Sequence, residues 1–149
     1  MTQNTPDELT SVQEQTGIAT PPRGRVLVVD DVMLLCEAIV RLLHQAHFEG
    51  VIAHDAEEAL QLVKTQPFDL VVTDVMMPGR SGVDLVEELG RIRPALKCIV
   101  MTGHATKVLI TRLKAARNVI GVQTKPLNTQ RLIAQISASL GAGQTQHIQ

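Results

Sequence analysis

The 149 residues are 44% hydrophobic and 19% charged with a formal net charge of −1, the balance of one globular domain with a real core. Aromatic content is 1%, Phe48 and Phe68 alone, which leaves base-stacking recognition of single-stranded nucleic acid almost nothing to work with. No run approaches a membrane span and the first residues lack a basic start and an apolar stretch, so the expectation is a cytoplasmic protein without membrane insertion.

Residues 1–24 are polar, rich in Thr, Gln and Pro, and aperiodic; they read as a mobile N-terminal arm. Arg25-Val26-Leu27-Val28-Val29 is a continuous β-branched run, a strand buried on both faces, and it ends in Asp30-Asp31. Helical spacing follows, with Leu35, Ile39, Leu42, Leu43 and Ala46 on one stripe, and Glu49-Gly50 is expected to close that helix. Val51-Ile52-Ala53 is a short strand. Asp55 and Glu58 resemble a capping box that opens a helix carrying Ala59, Leu60 and Val63, and Pro67 stops it.

The apolar run Leu70 to Val72 predicts a buried strand that stops at Asp74, followed by a loop rich in Pro and Gly, Met76-Met77-Pro78-Gly79-Arg80-Ser81-Gly82. A helix through Leu85, Val86 and Leu89 runs toward Pro94. Cys98 to Met101 is a fourth strand, ending in Thr102-Gly103. A helix with Val108, Leu109, Leu113 and Ala116 follows it. Val119 to Thr124 makes a fifth strand before Lys125-Pro126, and a last helix, capped by Asn128, buries Leu132, Ile133, Ile136 and Leu140. Residues 25–141 thus form the domain, and 142–149 a polar C-terminal tail. Strands alternating with helices predict an α/β fold, a doubly wound five-stranded parallel sheet covered on both sides.

Cys36 and Cys98 lie inside apolar periodic segments and read as reduced core residues. Charge is lopsided: all fifteen acidic residues lie at or before Glu88, and nine basic residues follow from Arg91 to Arg131. That half is either a solvated basic surface or an electropositive face that steers toward an acidic partner.

Asp30, Asp31, Asp74, Thr102 and Lys125 each fall at or just beyond the C-terminal end of a predicted strand. In a doubly wound sheet those ends share one edge, so five scattered residues converge on one crevice. Three carboxylates repel one another unless a cation sits among them, and hard oxygen ligands open to solvent suit Mg²⁺. An aspartate in that setting can be an oxygen nucleophile toward a phosphoryl group, whose transfer needs chiefly positioning and charge neutralisation. A lysine supplies a mobile point charge and a threonine hydroxyl a donor. Gly103 leaves room beside Thr102. Met76, Met77 and Met101 read as packing residues, although Met76 and His104 also stand where they can shield a phosphoryl group or orient a water.

This constellation resembles the receiver domain of two-component response regulators over about Arg25 to Leu140. The resemblance rests on Asp30-Asp31, on the Asp-x-x-Met-Pro-x-x-x-Gly loop from Asp74 to Gly82, on Met101-Thr102-Gly103 and on Lys125-Pro126. It implies the flavodoxin-like (βα)5 receiver fold. It also implies that Asp74 accepts phosphate from a phosphohistidine of a sensor kinase or phosphotransfer protein. Asp31, Asp74 and the backbone carbonyl of Met76 would ligate Mg²⁺, with Asp30 helping through water. Thr102 would turn toward the phosphoryl group and Lys125 would pair with it, behind a cis Lys125–Pro126 bond. Such a domain is a phosphoacceptor that assists its own chemistry rather than an enzyme. Here it reads as standing alone, signalling to a protein target through its fourth helix, fifth strand and fifth helix, as a monomer or a phosphorylation-dependent homodimer.

One position departs from the family: Val122 stands where an aromatic residue usually precedes the lysine by three. That keeps open a pseudo-receiver, a binding module without the switch, or a phosphate sink with an uncoupled output. An aspartyl-phosphate phosphatase of another α/β family would carry a second acid where Met76 stands. A dinucleotide-binding fold would carry a Gly-rich turn where Asp30-Asp31 stands. Direct nucleic-acid binding has no visible reading element.

Overall fold

The computed structural model describes residues 21–148, with side chains to Leu140. Five parallel strands, β1 (Arg25–Val29), β2 (Glu49–Ala53), β3 (Leu70–Asp74), β4 (Lys97–Thr102) and β5 (Val119–Thr124), form one sheet in the order β2-β1-β3-β4-β5. Five helices alternate with them: α1 (Met33–Gln45), α2 (Ala56–Thr65), α3 (Gly82–Ile92), α4 (Lys107–Ala115) and α5 (Thr129–Ile148).

The alternation of side chains along a strand divides the core in two. Val26 and Val28 of β1, with Leu70 and Val72 of β3, face α1 and α5 through Cys36, Ile39, Leu43, Leu132 and Ile136. Leu27 and Val29, with Val71, face the opposite layer through Ala59, Leu60, Val63, Leu85, Val86 and Leu89. β1 and β3 are central and covered on both sides, which is why their sequences are unbroken apolar runs. The strand order reverses between them, so the crevice of the sheet lies where Asp30 and Asp74 emerge.

Local chemistry explains most boundaries. Asp55 accepts the Glu58 N–H at 2.8 Å, Ser81 the Asp84 N–H at 3.1 Å, Thr106 the Leu109 N–H at 3.1 Å and Asn128 the Arg131 N–H at 3.0 Å. Each satisfies a donor that the helix start leaves open. The reciprocal half of the box at Asp55 is displaced by one residue: Glu58 accepts from the His54 N–H at 2.7 Å and faces the His54 ring nitrogen Nδ1 at 2.8 Å. These bonds hold the Glu58 carboxyl below its ordinary range.

Three expectations are corrected. Glu49-Gly50 does not close α1, which ends at Gln45; the chain turns at His47 (φ 70°) and both residues enter β2 opposite Arg25 and Val26. Gly50 looks like a stop because it is glycine, yet its role is close packing, since a Cβ there would sit 3.1 Å from both methyls of Val40. The predicted arm lies outside the described residues up to position 20, but its last part is docked. Arg23 N–H donates to His47 O at 2.7 Å, and its guanidinium lies 4.6 Å from the Phe48 ring centroid. α5 continues as helix to Ile148 through the segment read as a polar tail, with no proline to stop it. In α4, Val108 of the first turn is exposed, and Leu113 alone among α4 residues is fully buried.

Cys36 and Cys98 are free and buried, and burial pushes their thiols up to about 11 and about 12. Among the described residues no helix is long and apolar enough to cross a membrane.

α4 is therefore the most lightly anchored helix. Leu113→Ala should destabilise the domain by about 2–5 kcal/mol in urea unfolding. Amide exchange in Lys107–Ala115 should accelerate more than in β1.

Candidate functional site

Each site residue is placed by the strand it ends. Asp74 is the last residue of β3 and is 4% exposed. Directly after it, Val75 N–H donates to Met101 O at 3.0 Å, and Gly82 N–H returns to Val75 O at 2.9 Å. The loop between is thus cinched at its base, and Gly79 supplies the positive φ (80°) it needs. Gly82 is required for a different reason: a Cβ there would lie 1.9 Å from the Asp74 carbonyl oxygen. Only hydrogen fits between the start of α3 and the backbone of Asp74. Arg80 Nε reaches Glu57 Oε2 at 3.3 Å and ties the loop to α2.

Asp30 follows β1 and is wholly buried. Its N–H donates to Ala53 O at 3.2 Å, and its Oδ1 accepts the Val32 N–H at 2.9 Å. Asp31 beside it is exposed. Carboxylate oxygens of Asp30, Asp31 and Asp74 all lie within 4.8 Å of one another, a set of hard ligands that could hold a cation.

Lys125 comes one residue past the Thr102↔Thr124 pairing of β4 and β5, and its N–H donates to Thr102 O at 2.8 Å. Its Nζ stands 3.3 Å from Asp30 Oδ2 and 3.2 Å from Asp74 Oδ2, so one ammonium bridges two carboxylates. The Lys125–Pro126 peptide is cis. Thr102, 1% exposed, accepts the His104 N–H on Oγ1 at 3.1 Å. An added Cβ at Gly103 would meet nothing, so this side of the crevice is open.

The electrostatics follow from this packing. Burial first, and the Asp74 charge second among the raising causes, push the Asp30 carboxyl above its ordinary range; the Val32 N–H and Lys125 offset this only in part. For Lys125 burial disfavours the ammonium, but the charges and hydrogen bonds of Asp30 and Asp74 outweigh it and hold the lysine above its usual range. Carboxylates held this close are under-neutralised by one ammonium, which is the chemistry of a divalent-cation site.

The structure thus brings together Asp30, Asp31, Asp74, Thr102 and Lys125. Met76 follows in the loop, and its side chain is 73% exposed rather than packed, whereas Met77 and Met101 are buried. Other features escaped sequence reasoning. Arg112 does not present a free charge: Nε lies 2.9 Å and Nη2 2.8 Å from the two Glu87 oxygens, and Nη2 3.3 Å from Asp84. This charge of the basic half is therefore met by acids from the other half of the chain. On β5, buried Gln123 donates to Gln135 Oε1 at 2.9 Å, and Gln135 Nε2 donates to Ile120 O at 3.1 Å, beside half-buried Val122. Buried Asn118 donates to Val86 O at 2.9 Å. No period or motif marks these amides.

Two substitutions test this geometry. Gly82→Ala should cost about 1–3 kcal/mol or more by overpacking, whereas Gly103→Ala should stay within about 0.5 kcal/mol; urea unfolding compares them. Asp30 binds its proton more tightly folded than unfolded, so its contribution to stability falls as pH rises from the ordinary carboxylate range through the raised folded value. Without divalent cations at neutral pH, Asp30→Asn should therefore raise the urea midpoint, and the gain should vanish in acid.

Comparison with known proteins agrees with the geometry. The family model of the response regulator receiver domain matches residues 26–137. A response regulator receiver protein of Anaeromyxobacter sp. (strain Fw109-5) is 36% identical over 111 residues, covering 73% of this chain and 45% of the relative. The DNA-binding transcriptional regulator NtrC of Azospirillum brasilense is 34% identical over 122 residues, 78% of this chain and 24% of that protein. The chain thus spans less than half the length of either relative. Among solved structures, a CheY-like receiver domain protein from Methanospirillum hungatei JF-1 superposes with a TM-score of 0.77 at 26% identity, over 85% of this chain and 99% of that one. The response regulator TrrA from Thermotoga maritima, in complex with Mg²⁺-BeF, gives 0.68 at 28% identity, over 76% and 96%. With the fold, the strand-end carboxylates and the family model in agreement, the chain belongs to the response regulator receiver domains of two-component systems.

Proposed function

We propose that Asp74 accepts a phosphoryl group from the phosphohistidine of a sensor kinase or phosphotransfer protein, in the cytoplasm, and that the phosphorylated chain signals by protein contact. The observation that carries this reading is the double bridge of Lys125 to Asp30 and Asp74, at 3.3 and 3.2 Å, inside a cluster of three carboxylates. Lys125 holds Asp74 Oδ2 in place and stands ready to pair with a phosphoryl oxygen once the aspartate is esterified.

In the transfer, an Asp74 carboxylate oxygen attacks phosphorus as the P–N bond breaks. The electron pair returns to the imidazole nitrogen, and a histidine protonated on its other nitrogen leaves as neutral imidazole. Asp30, Asp31, Asp74 and the Met76 carbonyl are the groups that would hold Mg²⁺, which when bound neutralises charge on the equatorial oxygens. Thr102, whose Oγ1 already accepts from His104, keeps its hydroxyl proton for a phosphoryl oxygen. The protein assists its own phosphorylation and dephosphorylation rather than turning over a substrate.

Output runs through the surface of α4, β5 and α5. Lys107 and Lys114 are exposed there, and no ion pair engages them among the described residues. Val122 and Gln123 lie toward the end of β5 that leads into Lys125, and Gln123 bonds to Gln135 of α5.

Beryllofluoride, bound with Mg²⁺ in the TrrA complex, is the direct probe. Titrated with Mg²⁺ and followed by amide NMR, it should shift Asp74, Thr102 and Lys125 and spread into α4 and α5, with Asp74→Asn silent. Shifts confined to the pocket would instead support a phosphate sink, for which Val122 is the motivating residue; no response at all would sink the phosphoacceptor reading. Mg²⁺ alone should raise the melting temperature of the wild type, and Asp31→Asn should abolish that gain.

A further inference from the structure

β5 carries one residue more than its partner strand can pair. Cys98 of β4 stands opposite Val119, but the next residue, Ile99, stands opposite Gly121, so Ile120 bulges out of the ladder. Side chains alternate along a strand, and one inserted residue resets the facing of everything after it. The bulge sets Gln123 opposite Met101 and Thr124 opposite Thr102, and the Lys125 N–H then reaches Thr102 O at 2.8 Å. The approach of Lys125 to the crevice therefore depends on an irregularity five residues upstream.

One side chain of α5 clasps that bulge. Gln135 Nε2 donates to Ile120 O at 3.1 Å, and Gln135 Oε1 accepts from Gln123 Nε2 at 2.9 Å. The amide lies against the strand where Gly121 has no side chain, since a Cβ there would stand 2.7 Å from the Gln135 Cδ. Gln123 is 7% exposed and stands opposite Met101, in a layer otherwise lined by apolar residues such as Leu132 and Ile136. Two apolar side chains of matching shape can stabilise a core as well as a bonded pair does, so stability alone does not account for two amides here. Hydrogen bonds add direction. Apolar contact lets a helix slide over a sheet, whereas a bond of about 3 Å is lost with a small displacement. Among the described residues no other α5 side chain hydrogen-bonds to the sheet.

The same strand leads into Lys125, whose Nζ bridges Asp30 and Asp74 at 3.3 and 3.2 Å. An anionic group bound on Asp74 draws that ammonium away from Asp30 and pulls on the end of β5. We propose that Gln135, by clasping Ile120 and Gln123, is the link that makes α5 follow β5 when the Asp74 pocket fills. It is a positioning residue that touches no reacting atom. The proposal rests on the phosphoacceptor reading above and adds the route from the pocket to α5.

The test uses the full chain and compares beryllofluoride-induced amide NMR shifts, with Mg²⁺ present, in the wild type, Gln135→Leu, Gly121→Ala and Ser139→Ala. Gly121→Ala keeps every hydrogen-bonding group but sets a methyl where the Gln135 amide lies; the backbone accepts it, because Gly121 is not at positive φ. Ser139→Ala removes a bond inside α5, from Ser139 Oγ to Gln135 O at 2.9 Å, and leaves the clasp intact. Asp74, Thr102 and Lys125 should shift alike in all four proteins. Shifts over Leu132 to Leu140 should appear in the wild type and in Ser139→Ala, and shrink about threefold or more in Gln135→Leu and Gly121→Ala. A merely structural role for Gln135 would lower the melting temperature without changing the ratio of α5 shifts to pocket shifts.

Shifts in α5 of equal size in all four proteins would overturn the clasp. An equal loss in Ser139→Ala would do the same, since it would make the effect a general loosening of α5. So would a wild type whose α5 stays silent while its pocket responds, or variants whose pocket shifts vanish together with those of α5. A wild-type pocket that does not respond at all would instead remove the phosphoacceptor reading itself.

Discussion

The structure depends on one arrangement of like charges. Asp30, Asp31 and Asp74 bring carboxylate oxygens within 4.8 Å of one another, and two of the three residues are buried. Repulsion of that kind favours opening, and it is tolerated because the surrounding framework leaves the strands no freedom to part. β1 and β3 are adjacent, parallel and buried on both faces, and their register runs to Val29↔Thr73, one residue short of the acids. Lys125 then spans Asp30 and Asp74 from the far side, delivered by β5 through its hydrogen bond to Thr102. The core thus supplies the energy that the pocket consumes, as expected where a site is built for a cation and an anion that arrive later.

The fold was legible because parallel strands buried on both faces leave unbroken runs of Val, Leu and Ile, and because every helix start but that of α1 carries its own polar cap. The convergence of Asp30, Asp74, Thr102 and Lys125 was legible for a topological reason: in alternating β/α order every strand delivers its C-terminal end to the same edge. The motif from Asp74 to Gly82 could be read as a pattern, but the reason for its last residue could not. That glycine answers a backbone-to-backbone approach across eight residues of chain, and only coordinates reveal it.

What stayed hidden is what depends on neighbours distant in sequence. Gly50 carries the same letter as a helix stop but serves a close approach between α1 and β2. Val108 fits the helical period of α4, yet the helix starts too far out for its first turn to reach the core. The amides of Asn118, Gln123 and Gln135 bond across elements and leave no periodic trace. The basic second half of the chain looked like a charged face because sequence order says nothing about which acids fold against it.

Arg112 carries that last point further. It spans from α4 to Glu87 and Asp84 of α3, while α4 itself is anchored by a single fully buried leucine. As long as α4 lies where it does, the single guanidinium of Arg112 offsets part of the charge of two carboxylates at the seam between the two helices. A displacement of α4 that parts Arg112 from Glu87 would turn the same residues into a separated cation and two anions, without any change in composition. The charge distribution of this flank is therefore tied to where α4 sits against α3.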